Sequence, residues 1–259
     1  MSTSGNLNSR ISLAAPSIQI QNIRIHVLRV YELYEKISQM LSQSERHLVT
    51  YVNINTMNIA RKDDRLQEAY EKSTITYCDG AGIVLGARLL GKYLPERMTS
   101  ATFIHQFCEC WQRESTRIFF LGGKPGVAFK ACNRLQELYP DLQIVGHAHG
   151  FFHRTRTDEY KVLKKISDIR PDILFIGLGT PLQEHWALDQ WERIDARVLW
   201  PIGALVDYLA GIVPRCPQWM EHISLEWLFR FLIEPQRLFG RYVIGNPLFI
   251  FRILKDRLR

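Results

Sequence analysis

The sequence predicts an α/β fold: a mostly parallel sheet with helices on both faces, followed by a helical C-terminal appendage. Three observations predict it. Short β-branched runs alternate with helix-length segments along most of the chain. Several runs, such as Ile173-Leu174-Phe175-Ile176, are apolar without alternation, as strands covered on both faces require. The last 45 residues differ in charge and aromatic content from everything before them. The arrangement expected is Rossmann-like, over residues 22–214, with residues 1–21 as a mobile N-terminal segment and 215–259 as the appendage.

The elements follow in order. Residues 1–21 are rich in Ser and Asn and carry no apolar core of signal-peptide length. Strands are predicted at Ile23–Leu28, His47–Asn53, Thr74–Tyr77, Arg117–Leu121, Leu142–Val145, Asp172–Ile176 and Arg197–Trp200. Helical patterns occupy about 30–43, 56–72, 81–91, 100–114, 126–139, 158–169, 181–194 and 204–210. In the tail, Leu225, Leu228, Phe229 and Leu232 share one helical face. After Gly245-Asn246, a second segment from Pro247 to Leu258 places Leu248, Phe251 and Leu254 in a stripe beside Arg252, Lys255 and Arg259.

Charge narrows the partners. The 259 residues carry 33 Lys+Arg against 26 Asp+Glu, a net charge of +7. Eight basic and four acidic side chains fall in residues 215–259. Basic helices with aromatic anchors suit an anionic membrane interface, where each basic residue contributes about 1 kcal/mol. No stacking module or recognition-helix pattern points to nucleic acid. No stretch reaches the roughly 18 apolar residues of a spanning helix. Five cysteines without a regular framework suit a reducing compartment and read as small core residues. A cytoplasmic protein with peripheral membrane contact is expected.

In a parallel sheet the ligand lies beyond the carboxyl ends of the strands, so the turns there are the candidates. They are Asn53-Ile54-Asn55, Asp79-Gly80-Ala81-Gly82, Gly122-Gly123-Lys124-Pro125-Gly126, Gly177-Leu178-Gly179-Thr180-Pro181 and Pro201-Ile202-Gly203-Ala204. Glycines let backbone N–H groups approach a ligand, and the following helix N-termini favour anions. Taken together these turns suggest a phosphate-bearing ligand, although each alone is equally a tight turn. Asp79 can accept a proton from a substrate hydroxyl, or cap the helix that follows. Asn53 can orient a substrate or satisfy a turn. Arg97 can grip a phosphate or sit solvated in its loop. Gln183-Glu184 opens a helix, with Glu184 suited to its positive end. Asp207 can bond ribose hydroxyls or be a solvated helix acid.

Other motifs are weaker. Gly80-Ala81-Gly82 begins like a dinucleotide fingerprint, but Leu85 stands where the third glycine is due and no acid follows at the usual distance. Gly122-Gly123-Lys124 is followed by Pro125 rather than Ser or Thr, which argues against a P-loop. His147, His149 and His153, and Cys108 with Cys110, do not match common zinc spacings. No cofactor and no metal are expected. The competing readings are an NAD(P)-dependent oxidoreductase and a non-catalytic basic membrane-binding scaffold.

These residues together resemble the WecG/TagA/CpsF bacterial glycosyltransferases, glycosyltransferase family 26, from about Leu48 to Leu258. The resemblance rests on ordered blocks: Asn53 with Asn58-Ile59-Ala60, Asp79-Gly80-Ala81-Gly82, Glu96-Arg97, Phe120-Leu121-Gly122-Gly123-Lys124-Pro125-Gly126, Gly177-Leu178-Gly179-Thr180-Pro181-Leu182-Gln183-Glu184 and Asp207-Tyr208-Leu209-Ala210-Gly211. It continues through Arg215-Cys216-Pro217, Leu225-Glu226-Trp227-Leu228-Phe229-Arg230, Glu234-Pro235-Gln236-Arg237 and Gly245-Asn246-Pro247. Where the family often has Thr two places before its Asn, this chain has Tyr51, with Thr50 beside it.

The resemblance implies inverting, metal-independent transfer of a sugar from a UDP-sugar donor. The acceptor it implies is a polyprenyl-diphosphate-linked sugar at the cytoplasmic face of the inner membrane, in cell-surface polysaccharide synthesis. It implies Asp79 as base, with Arg97 and Asn53 as catalytic partners. The expected donor-binding set is Gly122, Gly123, Gly177, Gly179, Gln183, Gly203 and Asp207. Arg215, Arg230, Arg237 and Arg241 are expected to meet the acceptor, the diphosphate and the membrane. No Asp-x-Asp pair, the usual holder of a divalent ion, occurs in the chain.

Overall fold

The computed structural model describes residues 13–152 and 156–258. The chain opens with β1 (Ser17–Ile20) and β2 (Ile23–His26), an antiparallel hairpin that stays apart from the main sheet. Among the described residues regular structure therefore begins at Ser17, inside the stretch expected to be mobile. The cause is apolar: Ile20, Ile23 and Ile25 are all buried.

The body alternates strand and helix: α1 (Val30–Leu41), β3 (His47–Val52), α2 (Ile54–Ala60), α3 (Asp64–Lys72), β4 (Ile75–Cys78), α4 (Ala81–Leu89), α5 (Ser100–Glu114), β5 (Ile118–Gly122), α6 (Val127–Leu138), β6 (Ile144–Ala148), α7 (Arg156–Ile169), β7 (Ile173–Gly177), α8 (Leu182–Asp189), β8 (Val198–Pro201) and α9 (Leu205–Leu209). Strands β3 to β8 form one six-stranded sheet in the order β4-β3-β8-β7-β5-β6, and every pairing is parallel. The α/β expectation is met, and each strand of the sheet lies within two residues of its predicted span except β6, which ends three residues later, at Ala148. The single helix expected over 56–72 is two. Asp63 interrupts it by capping α3, its Oδ1 accepting from the Leu66 N–H at 2.9 Å.

Alternation along the strands divides the core. Val49, Tyr77, Phe120, Phe175 and Trp200 face α1, α5, α6 and α9. Here Trp111, Trp200, Phe103, Phe107 and Tyr77 form an aromatic cluster with ring centroids 4.8–6.5 Å apart. Burial stabilises by about 1.5–3 kcal/mol per large apolar side chain. Leu121, Leu174, Ile176 and Leu199 face α7 and α8 on the other side. On that side too, Val52 and Cys78 pack with the hairpin, α2, α3 and α4. The helix after β8 thus covers one face and those after β3 and β7 the other. The strand ends diverge there, which opens a crevice at the carboxyl edge.

The tail comprises α10 (Gln218–His222), α11 (Glu226–Ile233), α12 (Pro235–Phe239), a π-helical turn at Gly240–Ile244 and α13 (Gly245–Arg257). Gly245-Asn246-Pro247 does not break the helix as its composition suggests. Pro247 sits in the first turn of α13, where its missing N–H costs little. Part of the segment set apart by its charge is packed into the main core: Phe249 and Ile253 are fully buried beside Ile83 and Ala87 of α4. A Cβ on Gly86 would lie 2.8 Å from the Phe249 ring, so only glycine permits this approach of α4 and α13. The stripe of Leu248, Phe251 and Leu254 faces outward.

Candidate active site

A cavity of about 740 Å³ lies at the carboxyl edge of β4, β3, β8 and β7 and is roofed by the tail. Its floor comes from the turns after those strands: Asn53 to Thr56, Asp79 to Gly82, Gly179-Thr180 and Ile202 to Ala204. Arg97 and the start of α5 form one side. Glu226, Trp227, Arg230, Arg237, Arg241, Tyr242 and Asn246 form the roof.

Asp79 sits on this floor directly after β4, its N–H bonded to the Val52 carbonyl at 2.8 Å. It does not cap α4; Gly80 holds the N-cap position and no side chain caps it. The carboxylate instead accepts from Asn53 Nδ2 at 3.2 Å. Loss of water raises its pKa above the ordinary Asp value, against the opposing pull of that hydrogen bond and of Arg241, Arg230 and Arg97. A carboxylate that holds its proton more tightly than free Asp is a better proton acceptor near neutral pH.

Asn53 satisfies its turn and also reaches Asp79. Its Oδ1 accepts from the Thr56 N–H at 3.1 Å and caps α2, while its Nδ2 steadies Asp79. Strand alternation decides between the neighbouring hydroxyls of β3. Thr50 is buried on the far face, 2.9 Å from both Ser73 Oγ and Thr76 Oγ1. Tyr51 faces the cavity, its hydroxyl 3.3 Å from Thr180 Oγ1. A Cβ on Gly203, which has φ +59°, would lie 2.7 Å from that hydroxyl, so the turn after β8 needs glycine on both counts.

Four arginines line the cavity. Arg97 donates to the Glu221 carbonyl at 2.7 Å and lies 3.8 Å from Glu226, tying the main domain to the roof. Arg230 lies over the Tyr208 ring at 5.5 Å, and Arg241, in the π-helical turn, lies over Tyr242 at 5.3 Å. Interrupted helices of this kind are frequent at functional sites. Arg237 pairs with Glu234. Arg215 lies apart, beside Thr102 and Glu221 at a separate small cavity.

The expected donor-binding residues are divided. Gly179 and Gly203 line the cavity; Gly122, Gly123, Gly177, Gln183 and Asp207 do not. Gln183 and Glu184 are buried beneath it. Gly122 ends β5, one strand beyond β7, and Gly123 follows it, with Asp207 near Gly123. Burial raises the pKa of Asp207, and Arg237 draws it back. Trp227, Tyr242 and Glu226 line the cavity although residue chemistry alone did not single them out; the aromatic-rich blocks of the tail were the available signal.

Among the described residues no group of three His, Cys, Asp or Glu side chains is placed to hold a metal ion. His147 packs on Phe129 with ring centroids 5.5 Å apart, and burial lowers its pKa. His153 lies outside the described residues. All five cysteines are free, and Cys78, Cys108 and Cys132 are buried.

A family model described as the Glycosyl transferase WecG/TagA/CpsF family matches residues 18–259. The chain is also similar to an N-acetylglucosaminyldiphosphoundecaprenol N-acetyl-beta-D-mannosaminyltransferase of Staphylococcus aureus (strain MRSA252), 26% identical over 217 residues that cover 83% of each protein. The enzyme of the same name from Bacillus subtilis (strain 168) is 26% identical over 209 residues, covering 81% of this chain and 79% of the relative.

Proposed function

The chain belongs to the WecG/TagA/CpsF family of glycosyltransferases, and on that premise we propose that it moves a sugar from a UDP-linked donor to a polyprenyl-diphosphate-linked sugar, inverting the anomeric centre without a metal ion. One observation carries this reading: a carboxylate of raised pKa opens into a cavity lined by four arginines.

Asp79 takes the proton of the acceptor hydroxyl as its oxygen attacks the anomeric carbon. The bond to the donor's diphosphate oxygen breaks on the opposite face, and UDP leaves with the electron pair. Asn53 fixes the carboxylate through its amide. Arg97, Arg230, Arg237 and Arg241 are placed to neutralise the diphosphate, a task that falls to a cation in metal-dependent enzymes. The N-terminus of α4 adds its positive end at Gly80 to Gly82. The nicotinamide alternative loses its footing with the family match.

The relatives' names give the transferred sugar, N-acetylmannosamine, and the acceptor, N-acetylglucosaminyldiphosphoundecaprenol; with the UDP linkage proposed here, the first pair to test is UDP-N-acetylmannosamine and that lipid. UDP release from a panel of UDP-sugars, measured with and without that lipid, is expected to depend on both partners. Release that ignores the lipid would refute the acceptor assignment.

The lipid acceptor fits a peripheral site at the cytoplasmic face of the inner membrane. No helix among the described residues is long and apolar enough to cross a membrane. Yet Leu232, Phe239, Ile244 and Phe251 are 51–69% exposed, on the segment that also carries the roof arginines. Buried in an interface, each contributes about 1.5–3 kcal/mol. Replacing Leu232, Phe239 and Ile244 together by Ser is expected to lower affinity for phosphatidylglycerol vesicles by about 10²-fold or more in a flotation assay. Unchanged flotation would move the membrane contact elsewhere.

A further inference from the structure

Behind the cavity wall opposite the arginines lies a polar cluster that the chemistry above leaves unused. Glu184 is 1% exposed. Its Oε1 accepts from the Thr180 hydroxyl at 3.0 Å and from Gln183 Nε2 at 2.8 Å. Gln183 Nε2 also lies 3.2 Å from Thr180 Oγ1 and 3.3 Å from the Tyr51 hydroxyl, while its Oε1 accepts from the Gly203 N–H at 3.0 Å. Thr180, Tyr51 and Gly203 line the cavity; Gln183 and Glu184 do not.

The proton inventory sets a direction. Thr180 has one hydroxyl proton, and Glu184 Oε1 takes it. The Thr180 oxygen is left as an acceptor, and the Tyr51 hydroxyl, between that oxygen and the Gln183 amide, donates to the first and accepts from the second. Both hydroxyl protons are thus engaged within the protein, the Thr180 proton behind the wall and the Tyr51 proton along it, and the lone pairs left over on the two oxygens are what the wall offers the cavity. Burial raises the Glu184 pKa to about 7. Its Oε2 has no hydrogen-bond partner, so when the carboxyl is neutral the proton sits there and Oε1 still accepts.

We infer that Glu184 is a positioning residue for the donor: by accepting the Thr180 proton, and so leaving the Tyr51 proton to the Thr180 oxygen, it makes their wall an acceptor surface for hydroxyl or amide N–H groups of the donor's sugar. A diphosphate, which offers only acceptors, is turned away from this wall and toward the arginines. The cavity thereby sorts the two ends of one ligand. This inference rests on the UDP-sugar reading given above.

Calorimetry on the full chain with UDP and with UDP-N-acetylmannosamine tests it. Glu184→Leu is expected to weaken UDP-N-acetylmannosamine about tenfold, the worth of one lost hydrogen bond, with UDP within about twofold of wild type. Glu184→Gln, which keeps an oxygen where Oε1 stands, is expected to restore the sugar nucleotide. Thr180→Val removes the wall hydroxyl itself and carries the same expectation as Glu184→Leu should that variant fail to fold. Equal losses for both ligands would reduce Glu184 to pocket support and overturn the inference, as would no loss for the sugar nucleotide. Failure of either ligand to bind wild type would overturn the donor reading first, and the inference with it.

Discussion

Asp79→Asn is expected to keep the fold and UDP binding and to lower turnover by about 10²–10⁴-fold, the usual worth of a positioned general base. The substitution is nearly isosteric. The new amide oxygen can still accept from Asn53 Nδ2, so the contact between the turns after β3 and β4 survives. Removing a partly desolvated charge relieves a cost of folding, so thermal stability is expected to stay level or rise. UDP affinity is expected to hold or improve, since one negative charge leaves the neighbourhood of the diphosphate. With Asp79 as the proposed base, the ionised carboxylate is the active form, so activity is expected to fall as pH drops through the raised Asp79 pKa. Acceptor-dependent UDP release, with a melting curve and UDP calorimetry on the same preparation, checks each part. Near-normal transfer by the variant would refute the base assignment.

Arg241→Ala is expected to lower kcat by about 10²–10³-fold, the range for losing one preorganised group that meets developing charge. Arg241 lines the cavity roof and is the first of the three guanidinium groups that pull the Asp79 pKa down. Its removal withdraws positive charge from the departing diphosphate, so kcat should suffer more than UDP affinity. Arg215→Ala, outside the cavity, is expected to change kcat by less than about tenfold, as for a cation acting only through screened field. Chelation with EDTA is expected to leave the wild-type rate unchanged. A rate that collapses with chelator, or an Arg241→Ala enzyme at full speed, would mean that arginines do not take the place of a cation here.

The strands were legible because uninterrupted β-branched and aromatic runs suit a doubly covered sheet and little else. Asp79 was legible as a carboxylate at a strand end before a glycine-rich turn. Which glycine-rich turns reach the cavity was not, because that depends on strand order. The turn after β5 looks as promising in sequence as that after β7, yet only Gly179-Thr180 comes to the cavity. The β1 strand was hidden because four residues among polar neighbours carry little periodic signal. Glu184 read as a first-turn helix acid; it is buried beside Gln183, which is itself bonded to Tyr51 of β3 and to Gly203 after β8, contacts set by residues far away in sequence. Tyr51 and Thr50 could be told apart only once the register of β3 fixed which of them faces the ligand edge.

The burial of Phe249 and Ile253 bears on how the roof moves. The arginines of residues 230–241 sit on a strap held at both ends, by Arg97 and Thr102 of the main domain at Arg215 and Glu221, and by Asn58 Nδ2 donating to the Gly245 carbonyl where the chain re-enters the core. A strap held twice has far fewer conformations than a free tail, so less freedom is lost when it closes on a diphosphate. Its short travel also means that a lipid-borne acceptor must come to the strap, which favours entry along the outward side where Leu232, Phe239 and Phe251 meet the solvent.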